Sequence, residues 1–299
     1  MRAAQIRCGS LAGPGRGEAS GGWGRLGPVR TVYVIGIGAG DPEHVTVQAI
    51  NALNEVDVFF VLDKGPAKAD LVGLREEILR RYVTRPGYRI VHGQDPDRDR
   101  TAERYGASVR DWRRRRADLC ERLLAEELAD GQVGAFLVWG DPALYDSTIG
   151  IIEDVAGRAG MELDWRVVPG ISSVSALAAR HRVGLNQVAG AVQFTTGRRL
   201  AAGLPEGVDD VVVMLDAHAA FASLAGKDQK DLEIYWGAYV GTPEEILVSG
   251  PVVQVADRIL AARAEARARK GWIMDSYLLR RPTPGTRASS GAGDAQDGQ

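Results

Sequence analysis

Three short segments carry the residues that could do chemistry: Gly36-Ile-Gly-Ala-Gly-Asp-Pro42, Trp139-Gly-Asp-Pro-Ala-Leu-Tyr145 and Val168-Pro-Gly-Ile-Ser-Ser173. Glycines in such loops let backbone N–H groups approach a ligand that a Cβ would hold off. The first loop reads like a dinucleotide fingerprint, with Asp57 or Asp63 as the ribose-binding acid about 20 residues on. The G-x-G-x-x-G pattern, however, needs glycine at 41, where this chain has Asp41 followed by Pro42. A carboxylate there is a poor neighbour for a pyrophosphate and suits a ligand with a positive centre and a ribose. For any single glycine loop, a tight turn without a ligand is the plain alternative. Repetition shifts the balance. Gly-Asp-Pro recurs at 140–142, and all three loops follow apolar, strand-like runs. Together they point to one crevice at the carboxyl edge of a parallel sheet, where ligands bind in open α/β folds.

The elements that must position these loops are legible as alternating buried strands and helices. Strands are expected at Thr31–Ile35, Val58–Leu62, Arg89–Val91, Val133–Val138, Leu163–Val168, Val211–Leu215 and Leu232–Trp236. Helical periods run over His44–Val56, Arg98–Asp130, Ser147–Gly160, Ser172–Arg182, Ala217–Ala225 and Val252–Lys270. Strand, helix and strand within the first segment make a βαβ unit, so the pairing is parallel and the class is α/β. Near Gly184–Asn186 the chain crosses to a second unit of shorter segments, which divides it into domains at 30–183 and 184–281. Residues 1–29, with eight glycines and no period, read as a flexible extension, and 282–299 as a polar tail.

Composition excludes several classes. The 299 residues are 45% apolar and 25% charged, with a net charge of −2, so no global basic field invites nucleic acid. No apolar run reaches the ~18–20 residues of a membrane span, and a cytoplasmic protein is expected. Cys8 and Cys120 build no disulfide framework, and the four histidines are too scattered for a metal motif. The run Arg110-Asp-Trp-Arg-Arg-Arg-Arg116 spreads its arginines around a helix and reads as a solvated face. Tyr105 and Trp112, interleaved with it, keep a substrate-lid role open. His181, between Arg180 and Arg182, reads as helix C-terminal capping rather than catalysis, and Asp146 as a helix N-cap.

Six motifs in order resemble the class III S-adenosylmethionine-dependent methyltransferases of tetrapyrrole biosynthesis. They are the Gly36–Pro42 loop, Thr46-Val-Gln-Ala49, Gly140–Pro142, Val168–Ser173, a strand ending in Met214, and Gly241-Thr-Pro-Glu-Glu245. They span nearly all of 31–281. Phe59–Gly65, Trp139–Thr148, Thr195–Leu200, Tyr235–Tyr239, Gly271–Arg280 and the long segment between Lys64 and Asp130 resemble one branch. That branch methylates C1 of precorrin-5 and releases the extruded acetyl unit as acetate, in aerobic cobalamin biosynthesis.

The resemblance implies two α/β domains, a mostly parallel N-terminal sheet and a mixed C-terminal one, with the active site in the cleft between them. It implies S-adenosylmethionine as cofactor, with S-adenosylhomocysteine as its product, and a homodimer working on a small tetrapyrrole without nucleic acid, membrane or metal. By motif position the cofactor would meet Gly38, Ala39, Gly40, Asp41, Trp139, Gly140, Asp141, Leu144, Ser172, Ser173, Met214 and Gly241. Asp41 and Tyr145 are the candidates for proton relay. A polycarboxylate substrate calls for arginines, and Arg198 and Arg199 are the preferred pair. A methylase acting at another ring position is the near alternative. A nicotinamide dehydrogenase is the distant one, and a ligand-binding module without catalysis the third.

Overall fold

A computed structural model describes residues 29–63, 69–97, 105–158, 160–226 and 231–281. The expected extension (apart from Val29) and the expected tail lie outside the described residues. The first unit is a five-stranded, all-parallel sheet built from β1 (Arg30–Gly36), β2 (Val58–Asp63), β3 (Arg89–Gln94), β4 (Val133–Val138) and β5 (Leu163–Val168). Their order is β3-β2-β4-β1-β5. Alternation along β1 shows how both faces are covered. Val32 and Val34 pack with α3 (Tyr105–Glu127) and α4 (Thr148–Ala156), whereas Tyr33 and Ile35 pack with α1 (Val47–Leu53) and α2 (Ala69–Tyr82). Near-continuous apolar strands are what a sheet buried on both sides requires.

The second unit is a mixed five-stranded sheet ordered β6-β7-β10-β8-β9. Its strands are β6 (Val192–Thr196), β7 (Asp210–Met214), β8 (Glu233–Ala238), β9 (Ile246–Pro251) and β10 (Asp275–Arg280). Only the β6–β7 pair is parallel. One face is closed by α7 (Val252–Lys270), the short α6 (Gly197–Leu200) and a 3₁₀ turn at Ala220–Leu224, around Trp236, Phe221 and Tyr277. On the other face, Val174 of α5 (Ser173–His181) meets Val212 and Leu278. Helix α5 begins at the loop after β5 and packs on the second sheet, so it ties the two units together. A separate cluster of Ala39, Ala176, Leu177 and Val240 closes the joint.

Several expectations change for local reasons. The helix expected from His44 starts at Val47. Pro42–His44 forms a 3₁₀ turn capped by Asp41, and the Thr46 hydroxyl then accepts the Ala49 N–H at 3.0 Å, setting a new N-cap. The helix expected at Ala217–Ala225 is only the 3₁₀ turn, because the buried Asp216 carboxylate takes the N–H groups of His218 and Ala220. The long helix expected over Arg98–Asp130 is described over Tyr105–Glu127, and residues 98–104 lie outside the described residues. Helix α2 and strands β9 and β10 had no sequence expectation at all.

His181 is the last residue of α5, as expected, and its ring also reaches across to the second sheet. Its Nε2 donates to the Trp236 carbonyl at 3.0 Å, latching α5 to β8, and burial lowers its pKa from the ordinary 6.5. A depressed folded pKa makes the unfolded chain the better proton binder, so this contribution is present above about pH 6.5 and lost as pH falls below it. Replacing it as His181→Gln keeps a donor for the carbonyl. Urea unfolding from about pH 7 to about pH 5 should then show a shallower loss of stability than the wild type.

Candidate active site

The three glycine-containing loops emerge side by side at the carboxyl ends of β1, β4 and β5. They are in backbone contact. Gly38 and Gly140 form an antiparallel bridge, with the Gly140 N–H donating to Gly38 O at 2.7 Å. A Cβ on Gly170 would stand 2.2 Å from Gly140 O, and one on Gly36 would stand 2.6 Å from Gly170 N and 2.8 Å from Pro142 Cδ. No side chain fits those approaches. Asp141 reinforces them: its Oδ1 accepts the Ala143 N–H at 2.7 Å and its Oδ2 lies 3.4 Å from the Gly170 N–H.

Between these loops and the second sheet lies a cleft of about 430 Å³. Eight of the residues proposed from the motifs line it: Ala39, Trp139, Gly140, Asp141, Leu144, Ser172, Ser173 and Met214. Four others do not. Gly38, Gly40, Asp41 and Gly241 stand behind the lining, where the first loop meets the second unit. A Cβ on Gly40 would meet Thr242 Cγ2 at 2.6 Å, and one on Gly241 would meet His44 Cε1 at 2.9 Å. With φ of +141° at Gly40 and +83° at Gly241, these two glycines serve the docking of the two units, whereas Gly38, at φ +84°, makes room for His44 of its own unit. Asp41 is outside the cleft lining as well, its Oδ1 accepting the Glu43 N–H at 2.8 Å.

Tyr145 lines the cleft mouth, 43% exposed and in the left-handed region at φ +52°. Asp146 lines the cleft and is not the N-cap of α4, which is Ser147; from one residue before it, its Oδ1 accepts the Thr148 N–H at 2.6 Å. Arg198 and Arg199 are not in this cleft. They are exposed on α6 and line a separate depression with Gln193, Thr195 and Pro205. The cationic lining residues are instead Arg75 of α2 and Arg116 of α3. Arg116 departs from the solvated face expected for its run. Arg113, Arg114 and Arg115 are exposed, but Arg116 falls on the stripe of Ala117, Cys120, Leu123 and Leu124 and is 8% exposed. The signal was in the phase of the helix (positions four and eight residues apart) rather than in the charge run. Arg75 carried no such signal.

The opposite wall belongs to the second sheet: Met214 and Leu215 at the end of β7, Val240 after β8, and Met274 to Ser276 entering β10. Leu215 is 65% exposed at φ +55°. What holds it there is a buried polar chain behind the wall. Tyr277 donates to Asp216 Oδ2 at 2.6 Å, Arg263 donates to Asp216 O at 2.7 Å and pairs with Asp275, and Trp236 Nε1 donates to Asp275 Oδ2 at 2.8 Å. Burial pushes the Asp275 carboxyl up to about 6, against Arg263 and Trp236, which favour its charged form. Breaking a buried pair by removing one partner typically costs about 3–5 kcal/mol, so this network fixes the wall firmly.

Residues 31–256 match the Tetrapyrrole (Corrin/Porphyrin) Methylases. The chain belongs to the tetrapyrrole methylases. It is 51% identical over 253 residues to Precorrin-6A synthase [deacetylating] of Sinorhizobium sp., covering 85% of this chain and 96% of that one. It is 28% identical over 220 residues to the Precorrin-4 C(11)-methyltransferase of Rhodococcus erythropolis, covering 69% and 86%. Among solved structures, a cobalamin-synthesis-related protein (CobF) of Corynebacterium diphtheriae superposes with a TM-score of 0.73 at 37% identity, over 85% of this chain and 99% of that one.

The family's cofactor is S-adenosylmethionine, and the cleft fits it. The Trp139 Nε1 donor is buried without a hydrogen-bond partner among the described residues. Gly140 at φ +70° leaves backbone open beside Ser172 and Ser173, and Met214, Leu215 and Val240 supply an apolar slot. The glycine contacts generate a prediction. Gly170→Ala forces backbone against backbone, so thermal unfolding should show a loss of about 1–3 kcal/mol. Calorimetry should show S-adenosylhomocysteine binding lost with it.

Proposed function

We propose that this chain is a precorrin-6A synthase, methylating C1 of precorrin-5 and releasing acetate on the way to cobalamin. The observation that carries this reading is the 51% identity to the Sinorhizobium enzyme of that name across 85% of the chain. The relative named for the C11 position of precorrin-4 is more distant, at 28% identity. A dehydrogenase reading draws no support, because Asp41 occupies the third glycine position of the fingerprint.

In this reading Ala39, Trp139, Gly140, Ser172 and Ser173 hold the polar end of the cofactor, with Gly38, Gly40, Asp41 and Gly241 shaping the loops from behind. Asp141 keeps a carboxylate beside the bound cation, and Leu144, Met214, Leu215 and Val240 enclose the adenine. Bound S-adenosylmethionine supplies a methyl group made electrophilic by its sulfonium. The chain's own work is then to orient the ring carbon towards that methyl group and to exclude bulk water, and proximity of this kind contributes several kcal/mol. Release of acetate adds a need for a group that exchanges a proton near neutral pH. Asp275, pushed to about 6 by burial, is the lining group suited to it, with the Tyr145 hydroxyl at the mouth as a relay. A homodimer in the cytoplasm is the working form we propose. No helix among the described residues is long and apolar enough to cross a membrane.

Incubation with methyl-labelled donor and precorrin-5 should yield both a labelled product and free acetate, and label transfer without acetate would overturn the deacetylating assignment. Calorimetry should show micromolar binding of S-adenosylhomocysteine and none of NAD. A Cβ at Gly140 meets nothing nearer than 3.7 Å but sits at φ +70°, so Gly140→Val should lower Tm through backbone strain and lose that binding.

A further inference from the structure

Strand β10 carries a hydroxyl where its pattern calls for an apolar side chain. Tyr277 and Leu279 face the core closed by α7, whereas Leu278 faces the other way and packs with Val174 of α5 and Val212 of β7. Ser276 falls on the same face as Leu278, because side chains alternate along a strand. Its cross-strand neighbours are Met214, where β7 ends, and Gly237 on β8. Both flanks are apolar, and a Cβ on Gly237 would stand 2.6 Å from Leu177 Cδ1 and 2.7 Å from Val240 Cγ2. Ser276 is 4% exposed and lines the cleft, and its hydroxyl has no hydrogen-bond partner among the described residues. Neighbouring polar groups are engaged. Asp275 holds Trp236 and Arg263, and Ser172 Oγ lies 2.9 Å from Ser175 Oγ. A hydroxyl enclosed in this way is costly to leave unpaired, so its partner belongs to what fills the cleft.

We propose that the Ser276 hydroxyl accepts a hydrogen bond from the 6-amino group of the cofactor's adenine, and so makes the apolar slot of Met214, Leu215 and Val240 selective for that base. The inference rests on S-adenosylmethionine as the cofactor and on its adenine lying against Met214. Apolar contact holds a flat ring but distinguishes poorly among purines, whose faces are alike. A hydrogen bond to an edge group supplies the distinction, since a base without that group leaves the buried hydroxyl unpaired. The 6-amino group lies opposite the glycosidic bond. With the ribose and amino acid held at the loops after β4 and β5, that edge leads into the slot. Serine suits the position, because its hydroxyl accepts through two lone pairs and its small size leaves space for a ring beside Met214.

The test is a calorimetric cycle on the full chain, wild type and Ser276→Ala. Its two ligands are S-adenosylhomocysteine and the analogue with hydrogen in place of the 6-amino group. Ser276→Ala should weaken S-adenosylhomocysteine binding about three- to tenfold, the worth of one neutral hydrogen bond. Wild type should bind the deaminated analogue more weakly by a similar factor. The variant should bind the two ligands alike, because either change alone already removes the bond. Without ligand, Tm of Ser276→Ala should equal or exceed that of wild type, since the hydroxyl makes no bond within the fold. A lower Tm would show an internal partner and overturn the proposal. It is equally overturned if Ser276→Ala binds S-adenosylhomocysteine like wild type, or disfavours the deaminated analogue as strongly as wild type does. Those outcomes leave the cofactor assignment standing, whereas a wild type that binds neither ligand removes the cofactor assignment and the proposal with it.

Discussion

Everything in the cleft depends on three loops touching through bare backbone. Gly36 and Gly170 come together, with Gly170 against Gly140 O, at distances where a Cβ on either would sit 2.2–2.8 Å from a neighbour. That contact is available because β4, β1 and β5 are adjacent, parallel and in register, so their carboxyl ends deliver the loops to one place. Parallel pairing leads the chain away through helices on both faces, and the loops are left as the rim of a crevice. Asp141 then links the loops after β4 and β5 through its two oxygens. The same glycine economy extends to the second unit, where Gly40 and Gly241 let the first loop press against Val240 and Thr242.

The far wall is stabilised by different means. No glycine contact holds Met214, Leu215 and Met274; a buried chain of Tyr277, Asp216, Arg263, Asp275 and Trp236 does. Burying so many polar groups is costly unless each is paired, and here each pairing ties a strand, a loop or α7 to its neighbour. Asp216 is central. Its carboxylate turns the chain sharply after β7, which leaves Leu215 facing outward in the left-handed region at the cleft. The cleft is thus held between a rim of interlocked backbone and a wall of satisfied charge, with α5 latched across both.

The motif-bearing loops and the alternation of strands and helices were legible because each depends on local residue types. Gly-Asp-Pro after an apolar run marks a strand end wherever that strand lies, and Val-Pro-Gly-Ile-Ser-Ser closes a strand while offering Ser172 as the cap of α5, its Oγ accepting the Ser175 N–H at 3.1 Å. Arg116 was half legible, since helical phase sets it with Cys120 and Leu124. Strand β10 escaped notice because its short apolar run gains meaning only between β7 and β8, both antiparallel partners distant in sequence.

By itself, the sequence determined the α/β class, the three loops and the kinship with tetrapyrrole methylases, since these are written in contiguous residues whose backbone preferences are local. Tertiary structure alone decided which of those residues face the cleft. Gly38, Gly40, Asp41 and Gly241 share motifs with lining residues yet stand behind them, Gly38 against His44 and the others where the two units press together. It also decided which arginines line the cleft: Arg75 and Arg116 lie 41 positions apart in the chain and reach one cleft only once α2 and α3 pack on opposite faces of the first sheet, a relation between distant segments that no local pattern encodes.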